Sequence, residues 1–433
     1  MTGEDKGTLV VGAGQAGLAL VTSLRDLGDE RRVVLVGDED LPPYERPPLS
    51  KAYLMGLQGR EGLVFHGREW FAEHGLELVT GDAIVGLDRD TDGGRATTAS
   101  GRVIEFSRLA LATGSVNRML RVEGRDLEGV LSLRTVEDSD TLAAALGSAH
   151  HLVVVGGGFI GLEVAAAARA LGVDVTVVEL GERLLGRAAS AELSEFYRRA
   201  HERRGVRVLL GTSVTRILGQ EGRVAGVELS DARRLDADAV LVAVGAAART
   251  ELAESLGLEL ADGVVVDEHA LASDGLTVAV GDCTTTPNPY VRGVPGHVRL
   301  ESVQHAADHA RAAAATLLGH PAAYGDVPWF WSDQGDLTLK ICGLVAGHDQ
   351  TVVRGDPVTE SFSLLHYRDG VLVASECVNR PQDHLAVKRG LDKGMTIDPA
   401  AAADADVPLK RLLVASPTGD AAGTPGRSTT SGS

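Results

Sequence analysis

Cysteine is scarce in this sequence. Only Cys283, Cys342 and Cys377 occur among the 433 residues, and no two of them form a C-x-x-C or similarly close pair. Zinc sites and local redox disulfides depend on such spacing, so we predict neither and expect no metal site. The three cysteines are instead expected to be buried thiols.

Long apolar runs and an excess of positive charge are also missing. No uninterrupted apolar segment approaches the length that spans a bilayer, and residues 1–7 are polar and acidic, unlike a secretory signal. The 60 acidic and 42 basic residues give a formal net charge of −18, which disfavours nucleic acid or an anionic membrane as the main partner. We therefore predict a cytoplasmic protein, with two or three domains because the chain exceeds one ordinary core.

Glycine, by contrast, is plentiful and forms two similar motifs. The first, G-A-G-Q-A-G at residues 12–17, follows an apolar run at 8–11 and precedes a helix and a second strand that ends near Asp38. A G-x-G-x-x-G turn between strand and helix is typical of dinucleotide binding, and an acid at the end of the second strand binds a ribose. The sequence therefore predicts a nucleotide-binding unit here, with Asp38 at or beside the ribose position.

The second motif, G-G-G-F-I-G at residues 156–161, has the same context and opens an alanine-rich helix. Gly156 permits the tight turn, Gly158 allows a pyrophosphate to approach the backbone, and Gly161 lets helix and strand pack closely. Glu179 ends the following strand at the ribose-binding position. Since a carboxylate there repels a 2′-phosphate, we expect NADH rather than NADPH.

The order of these units predicts the domain organisation. Two similar apolar segments, 108–115 and 238–245, each close one nucleotide-binding unit and lead the chain into the other. The first unit is therefore expected in two parts, residues 1–114 and 248–325, with the second unit, residues 115–247, inserted between them. The predicted fold is α/β, with two Rossmann-like dinucleotide-binding domains.

The remainder has a different pattern. Short strands predicted at 337–342, 351–354, 361–367 and 371–378, followed by a helix at 381–391, indicate a C-terminal α+β domain over residues 326–413. Glycine, serine, threonine, proline and alanine dominate residues 414–433, which predicts a disordered tail.

Several motifs together resemble those of the ferredoxin reductase family of FAD/NAD flavoproteins, in its oxygenase-coupled, putidaredoxin reductase-like branch. Beside the two glycine motifs they are E-R-P-P-L-S-K at 45–51, L-A-T-G at 111–114, V-G-D at 280–282, E-S-V-Q at 301–304, P-W-F-W-S-D-Q at 328–334 and N-R-P at 379–381. The resemblance extends from residue 8 to about 411. It implies a glutathione-reductase-like arrangement in which the first unit holds FAD and the second holds NADH.

The resemblance also implies site residues. It implies FAD contacts at Gly12, Gly14, Ala16, Gly17, Asp38, Arg46, Lys51, Ile84, Ala112, Thr113, Gly114, Arg134, Asp282, Val303 and Trp331, and an NADH site at Gly156, Gly158, Ile160, Gly161, Glu163, Glu179 and Gly245. The expected catalytic residues are Phe159, which shields the flavin ring until nicotinamide displaces it, and the ion pair Lys51–Glu163 beside flavin N5. The alternatives are that Lys51 is a surface lysine at a loop end and that Glu163 is a residue favoured near a helix start by the helix dipole.

A reduced flavin holds two electrons, and the absence of a cysteine pair excludes the disulfide reductase route. The resemblance implies single-electron transfer to a [2Fe–2S] ferredoxin that feeds a monooxygenase or dioxygenase. Alternatives are a rubredoxin reductase or NADH oxidase with the same flavin site, and a redox signalling protein of the apoptosis-inducing-factor type. Trp329 and Trp331 are expected near the exposed flavin edge, or simply as packing residues.

An acidic ferredoxin needs a local basic patch on this acidic chain. Arg311, Lys340 and Lys410 are the hypothesised patch, with scattered solubilising charges as the alternative, and the chain is expected to be a monomer or weak dimer. His305 and His309 have metal-compatible spacing but no evident third ligand, so we expect helix-surface residues.

The sequence also departs from the family. Ala248-Arg249 replaces a usual Pro-Asn pair, which bears on the NAD loop, and Val298 replaces a usual tryptophan.

Overall fold

A computed structural model describes residues 5–290 and 297–417. Its first parallel sheet has the strand order Val278–Ala279, Arg108–Leu111, Thr8–Val11, Val33–Val36, Leu76–Val79. The helix Gln15–Asp26 follows the central strand and packs with the helix Val303–Leu317 through one hydrophobic cluster. A short helix, Arg68–Glu73, precedes the edge strand.

The other face of this sheet is covered by a small antiparallel sheet, Ile84–Asp90, Gly93–Thr98 and Val103–Phe106. Strand pairs Val264–Val265 with Thr284–Pro287, and Thr284–Pro287 with His297–Val298, lie nearby in the chain, after the helix Glu251–Ser255. This part of the chain is thus a parallel sheet with helices on one side and strands on the other.

The second parallel sheet has the order Val206–Leu209, Asp174–Val178, His151–Val155, Ala239–Val242, Val130–Leu131. Its helices are Val136–Leu146, Phe159–Ala170 and Ala191–Arg203, and an antiparallel sheet follows at Val214–Gln220, Arg223–Leu229 and Arg234–Asp236. The chain crosses between the two parallel sheets at Ser115–Asn117 and Ala246–Ala248, which pair antiparallel. Two parallel sheets of this kind confirm the predicted fold class.

The C-terminal domain is an antiparallel sheet in the order Trp329–Gln334, Leu337–Gly343, Val371–Val378, Ser361–Arg368, Gln350–Asp356. The helix Pro381–Asp392, a short helix Pro399–Ala402 and the hairpin Met395–Ile397 with Leu413–Ala415 complete it. The strand Trp329–Gln334 is missing from the sequence prediction. The tail prediction was wrong at its start, because residues 414 and 415 pair in a strand, and residues 418–433 lie outside the described residues.

One large hydrophobic cluster joins the C-terminal sheet to the second parallel sheet. Leu339 and Phe362 of the C-terminal sheet are buried with Leu162 and Phe196, which lie on helices that flank the second parallel sheet. The rings of Phe196 and Phe362 meet edge to face at 4.8 Å. Burying apolar area of this kind fixes the two units against each other, so side chains of the C-terminal strands reach the neighbourhood of the second glycine turn.

Candidate cofactor-binding site

A deep cavity opens at the carboxyl ends of the strands of the first parallel sheet, where ligands bind in open α/β sheets. The second and C-terminal domains complete its wall. The structure brings most of the expected FAD contacts to it: Gly12, Gly14, Ala16, Asp38, Arg46, Lys51, Ala112, Thr113, Gly114, Arg134, Asp282, Val303 and Trp331, together with Ile160 and Glu163.

The first glycine turn is shaped by steric limits. Gly12 has φ +114°, and a Cβ there would lie 2.1 Å from the carbonyl oxygen of Ala112. A Cβ on Gly17 would lie 1.9 Å from the carbonyl oxygen of Gly12, so Gly17 serves the packing of helix on turn. A Cβ on Gly14 meets no atom within 4 Å, so this glycine leaves space in the cavity. Such a bare turn at a helix N-terminus suits a pyrophosphate.

Charged side chains line this cavity. Arg46 donates to Glu39 at 2.5 Å and to the carbonyl oxygen of Arg134 at 2.6 Å, and Asp282 lies 3.3 Å from the Arg134 guanidinium. The guanidinium of Arg249 binds the Asp38 carboxylate at 2.6 Å. Burial raises the pKa of Asp38, but the hydrogen bond and charge of Arg249 outweigh it and hold that pKa below its usual value.

The departure from the family at Ala248-Arg249 thus has a visible consequence. Arg249 lines the first cavity and pairs with the acid expected at the ribose, while its carbonyl oxygen accepts from the Thr113 hydroxyl at 2.7 Å. The residue therefore belongs to the first cavity rather than to the NAD loop. Val298 lies in the short strand His297–Val298, paired with Thr286.

Lys51 and Glu163 form an ion pair where the three domains meet. The Lys51 Nζ lies 2.6 Å from Glu163 Oε2, and the two side chains are 18% and 2% exposed. Glu163 also accepts from Ser50 Oγ at 2.5 Å and from Ser332 Oγ at 2.6 Å. A buried carboxylate is costly unless it is paired and hydrogen-bonded, and three donors meet that requirement here.

The same chain of hydrogen bonds continues inward. Gln334 Nε2 donates to Ser332 Oγ at 3.2 Å, and Gln334 Oε1 lies 2.7 Å from His201 Nε2. Ser50, Ser332 and Gln334 were missed as site residues in the sequence analysis. They belong to the P-P-L-S-K and W-F-W-S-D-Q motifs, so the motifs themselves were the signal that could have found them.

A second cavity surrounds the second glycine turn, with Gly156, Gly158, Phe159 and Glu179 in its wall. Gly156 has φ +110° and its Cβ would lie 2.3 Å from the carbonyl oxygen of Ala243, whereas a Cβ on Gly158 meets nothing within 4 Å. The Cβ of an alanine at Gly161 would lie 2.2 Å from the carbonyl oxygen of Gly156. The two turns therefore share one design, and the second is equally open to a pyrophosphate.

Glu179 closes this turn from the side. Its two carboxylate oxygens accept from the backbone N–H of Gly157 at 2.6 Å and of Gly181 at 2.7 Å. The loop of residues 180–188 continues the cavity wall and brings in Arg183 and Arg187, which were missed in the sequence analysis. Their signal was their position in the loop that follows Glu179, the acid expected to bind the ribose.

The two cavities meet at the beginning of the helix Phe159–Ala170. Phe159 lines the second cavity, while Ile160 and Glu163 line the first. The Phe159 ring lies 4.5 Å from that of Phe330, which itself lines the first cavity. A ligand in each cavity would therefore contact opposite sides of one helical turn.

Four expected site residues lie in the wall of neither cavity. Gly17 and Gly161 act through the packing described above. Ile84 is 8% exposed in the hydrophobic cluster beneath the first sheet, because its strand alternates that face toward the core. Gly245 has φ +100°, and a Cβ there would lie 2.9 Å from the Arg187 guanidinium, so this glycine makes room for a cavity residue.

The prediction for His305 and His309 was wrong. Both are 0% exposed, their rings stack at 4.8 Å, and the Tyr324 hydroxyl lies 2.9 Å from His305 Nδ1. Burial lowers the pKa of His305 to about 4 and that of His309 well below its usual value. Among the described residues no group of three or more histidine, cysteine, aspartate or glutamate side chains could hold a metal ion.

The cysteines behave as expected: all three are free and buried, and burial raises the pKa of each thiol. Within the described ranges no helix is long and apolar enough to cross a membrane. The residues of the hypothesised basic patch lie on three separate elements, and Arg311 is paired with Asp308 on its own helix.

Comparisons with known proteins agree with this geometry. Residues 6–310 match the pyridine nucleotide-disulphide oxidoreductase family, and residues 329–413 match the reductase C-terminal family. Rhodocoxin reductase of Rhodococcus erythropolis is 44% identical over 405 residues, 94% of each chain. A ferredoxin reductase from Rhodopseudomonas palustris has a crystal structure with a TM-score of 0.90 at 41% identity, covering 95% of this chain and 100% of that one.

A crystal structure of a covalent putidaredoxin reductase–putidaredoxin complex is also similar, with a TM-score of 0.89 at 35% identity over 94% of this chain and 97% of that one. The family binds FAD and NAD(H). The chain therefore belongs to the pyridine nucleotide-disulphide oxidoreductase family and, within it, to the flavin-dependent ferredoxin reductases of oxygenase systems.

Proposed function

We propose that the chain binds FAD in the first cavity and NADH in the second, and that it delivers single electrons to a [2Fe–2S] ferredoxin. Bound in these cavities, NADH would supply a hydride, and FAD would supply the chemistry that converts a two-electron donor into single electrons. The observation that carries the proposal is the ion pair between Lys51 and the buried Glu163, which lies in the first cavity at the helical turn shared with the second cavity.

The fit of both dinucleotides is supported by the two bare glycines. Gly14 and Gly158 each face open space at the start of a helix, in turns that are otherwise closed by backbone contacts. A side chain at either position would occupy the space that a pyrophosphate needs. Gly14 belongs to the FAD cavity and Gly158 to the NADH cavity.

Lys51 contributes a fixed positive charge to the FAD cavity. Glu163 holds it at 2.6 Å, and the serine hydroxyls of Ser50 and Ser332 hold Glu163. A preorganised charge stabilises negative charge that develops during reduction of the flavin ring, and it needs no reorganisation at that moment. Phe159 lies between the two cavities, against Phe330, where its ring would exclude water until nicotinamide binds.

We further propose NADH rather than NADPH as the electron donor. The Glu179 carboxylate faces the second cavity and would repel a 2′-phosphate. Arg183, one of the two arginines in the wall of this cavity, already donates to the Ser194 hydroxyl at 2.9 Å and to the carbonyl oxygens of Ala189 and Gly186 at 2.6 and 2.7 Å. Its guanidinium is thereby committed to the loop.

The partner is proposed to be an acidic [2Fe–2S] ferredoxin that feeds a monooxygenase or dioxygenase, with docking at the basic patch Arg311, Lys340 and Lys410. The crystallised relative bound to putidaredoxin supports a ferredoxin partner. We also propose that the protein is cytoplasmic and is a monomer or weak dimer, which is consistent with this role.

The test is anaerobic reduction of the FAD-loaded protein with NADH and, separately, NADPH, followed by turnover with ferredoxin and with ferricyanide. We expect rapid bleaching with NADH, slow bleaching with NADPH, and ferredoxin turnover that a double variant Arg311→Glu, Lys340→Glu impairs without affecting ferricyanide. Fast oxygen consumption without any carrier protein would instead identify an oxidase. NADH-dependent dimerisation without ferredoxin turnover would identify a signalling protein.

A further inference from the structure

A buried carboxylate of the C-terminal domain bonds across to the second nucleotide-binding domain. Glu376, in the strand Val371–Val378, is 0% exposed. Its Oε1 accepts from the backbone N–H of Ser190 at 2.8 Å, its Oε2 accepts from Ser190 Oγ at 2.5 Å, and His366 Nε2 lies 3.0 Å away. A buried carboxylate is retained only with strong partners, and two of these three bonds cross the domain boundary.

Ser190 connects Glu376 to the loop 180–188, which precedes it in the chain. It caps the helix Ala191–Arg203, and its carbonyl oxygen accepts from Ser194 Oγ at 2.9 Å. Ser194 Oγ in turn accepts from Arg183 at 2.9 Å, and Arg183 donates to the carbonyl oxygen of Gly186 at 2.7 Å. An unbroken chain of hydrogen bonds thus runs from the C-terminal sheet to the wall of the second cavity.

That loop needs an external anchor. Leu185 at its centre has φ +54°, a left-handed conformation that is unfavourable for a residue other than glycine. Its N–H donates to the carbonyl oxygen of Gly157 at 2.9 Å, so the loop closes directly onto the glycine turn. Strained backbone of this kind persists only where its surroundings over-determine it, and the bonds from Glu376 supply such a constraint from outside the domain.

We propose that Glu376 is a positioning residue for the dinucleotide: from the C-terminal domain it holds the loop 180–188 in the conformation that forms the second cavity. The inference rests on the proposed function, in which this cavity takes NADH. Glu376 acts through Ser190, Ser194 and Arg183, so it changes how tightly NADH binds and leaves the reaction at the flavin untouched.

The experiment uses the FAD-loaded full chain and measures flavin bleaching by NADH in a stopped-flow instrument, which separates the Kd for NADH from the limiting rate. For Glu376→Gln and for Ser194→Ala we expect the Kd to rise about tenfold, equivalent to about 1.4 kcal/mol, at an unchanged limiting rate. Because both substitutions interrupt the same chain of hydrogen bonds, the Kd of the double variant for NADH should not exceed the larger of the two single-variant Kd values.

The matched control is Ser363→Ala, which removes a buried serine of the same sheet that donates to Asp383 at 3.0 Å and has no bond to Ser190. It should lower thermal stability while leaving the Kd for NADH unchanged. Should Glu376→Gln fail to fold, Ser194→Ala still tests the same chain of hydrogen bonds. A parent-like Kd in folded Ser194→Ala, or an equal rise in Ser363→Ala, overturns the inference, whereas a parent protein that NADH cannot bleach overturns the proposed function itself.

Discussion

Alanine at Gly158 should separate NADH binding from folding. A Cβ at this position meets no protein atom within 4 Å, so the folded chain accepts it without strain, and the loss of glycine flexibility in the unfolded chain adds about 0.4–1 kcal/mol of stability. The methyl group would instead collide with the dinucleotide. Overpacking of this size costs about 1–3 kcal/mol, which is roughly a 5- to 150-fold rise in the Kd for NADH. Rapid bleaching of the flavin at varied NADH concentration measures it.

Two further variants complete the comparison. Gly14→Ala faces equally open space in the other cavity, so it should weaken FAD while leaving thermal stability of the apoprotein intact. Gly161→Ala should fail in a different way, because its Cβ would lie 2.2 Å from the carbonyl oxygen of Gly156 and the helix would have to shift. NADH binding by Gly158→Ala at the parent's affinity would refute the idea that the space above this turn holds the dinucleotide.

The remaining predictions concern charge. Lys51→Met should lower the limiting rate of flavin reduction by NADH at least about 100-fold with little change in the Kd for NADH, since a fixed charge in the cavity acts mainly as the reaction proceeds. Lys51→Arg, which keeps the charge, should lower this rate less. An unaltered rate in Lys51→Met would contradict the proposed role of Lys51 in stabilising the reduced flavin. Acid should destabilise the protein through His305, whose pKa burial lowers to about 4 from 6.5. The unfolded chain binds more protons between these values, so stability is complete above pH 6.5 and falls by about 2 kcal/mol at pH 5. Thermal unfolding at several pH values should show a smaller acid loss in His305→Gln.

The two glycine turns were predictable because their requirements are local. A positive φ at Gly12 and Gly156, and close backbone approach at Gly17 and Gly161, are conditions that only glycine meets. The strand–turn–helix order around each turn was therefore readable from the sequence, and so was the pair of parallel sheets.

Other features depend on contacts that sequence distance hides. The strand Trp329–Gln334 has little alternation of its own, and its pairing with Leu337–Gly343 decides its conformation. His305 and His309 have spacing that suits either face of a helix, but the Val303–Leu317 helix turns them inward against Tyr324. Tertiary packing overrides the local preference for a polar surface in such cases.

The partners of the Lys51–Glu163 ion pair were equally hard to predict from the sequence. Lys51 and Glu163 were implied by motifs, but the hydroxyls that hold Glu163 come from segments about 110 and 170 residues away in the chain. Arg249 was visible only as a departure from the family, and its bond to Asp38 required the two crossing strands to be placed.

The serine–carboxylate bonds across the domain boundary run in both directions. Ser332 of the C-terminal domain donates to Glu163, while Ser190 donates to Glu376 of the C-terminal domain. Each of these two buried carboxylates therefore accepts a hydrogen bond from a serine of the other domain. A chimera that takes its C-terminal domain from a distant reductase would therefore have to keep both hydrogen bonds. We expect the C-terminal domain and the second nucleotide-binding domain to evolve together rather than as exchangeable modules.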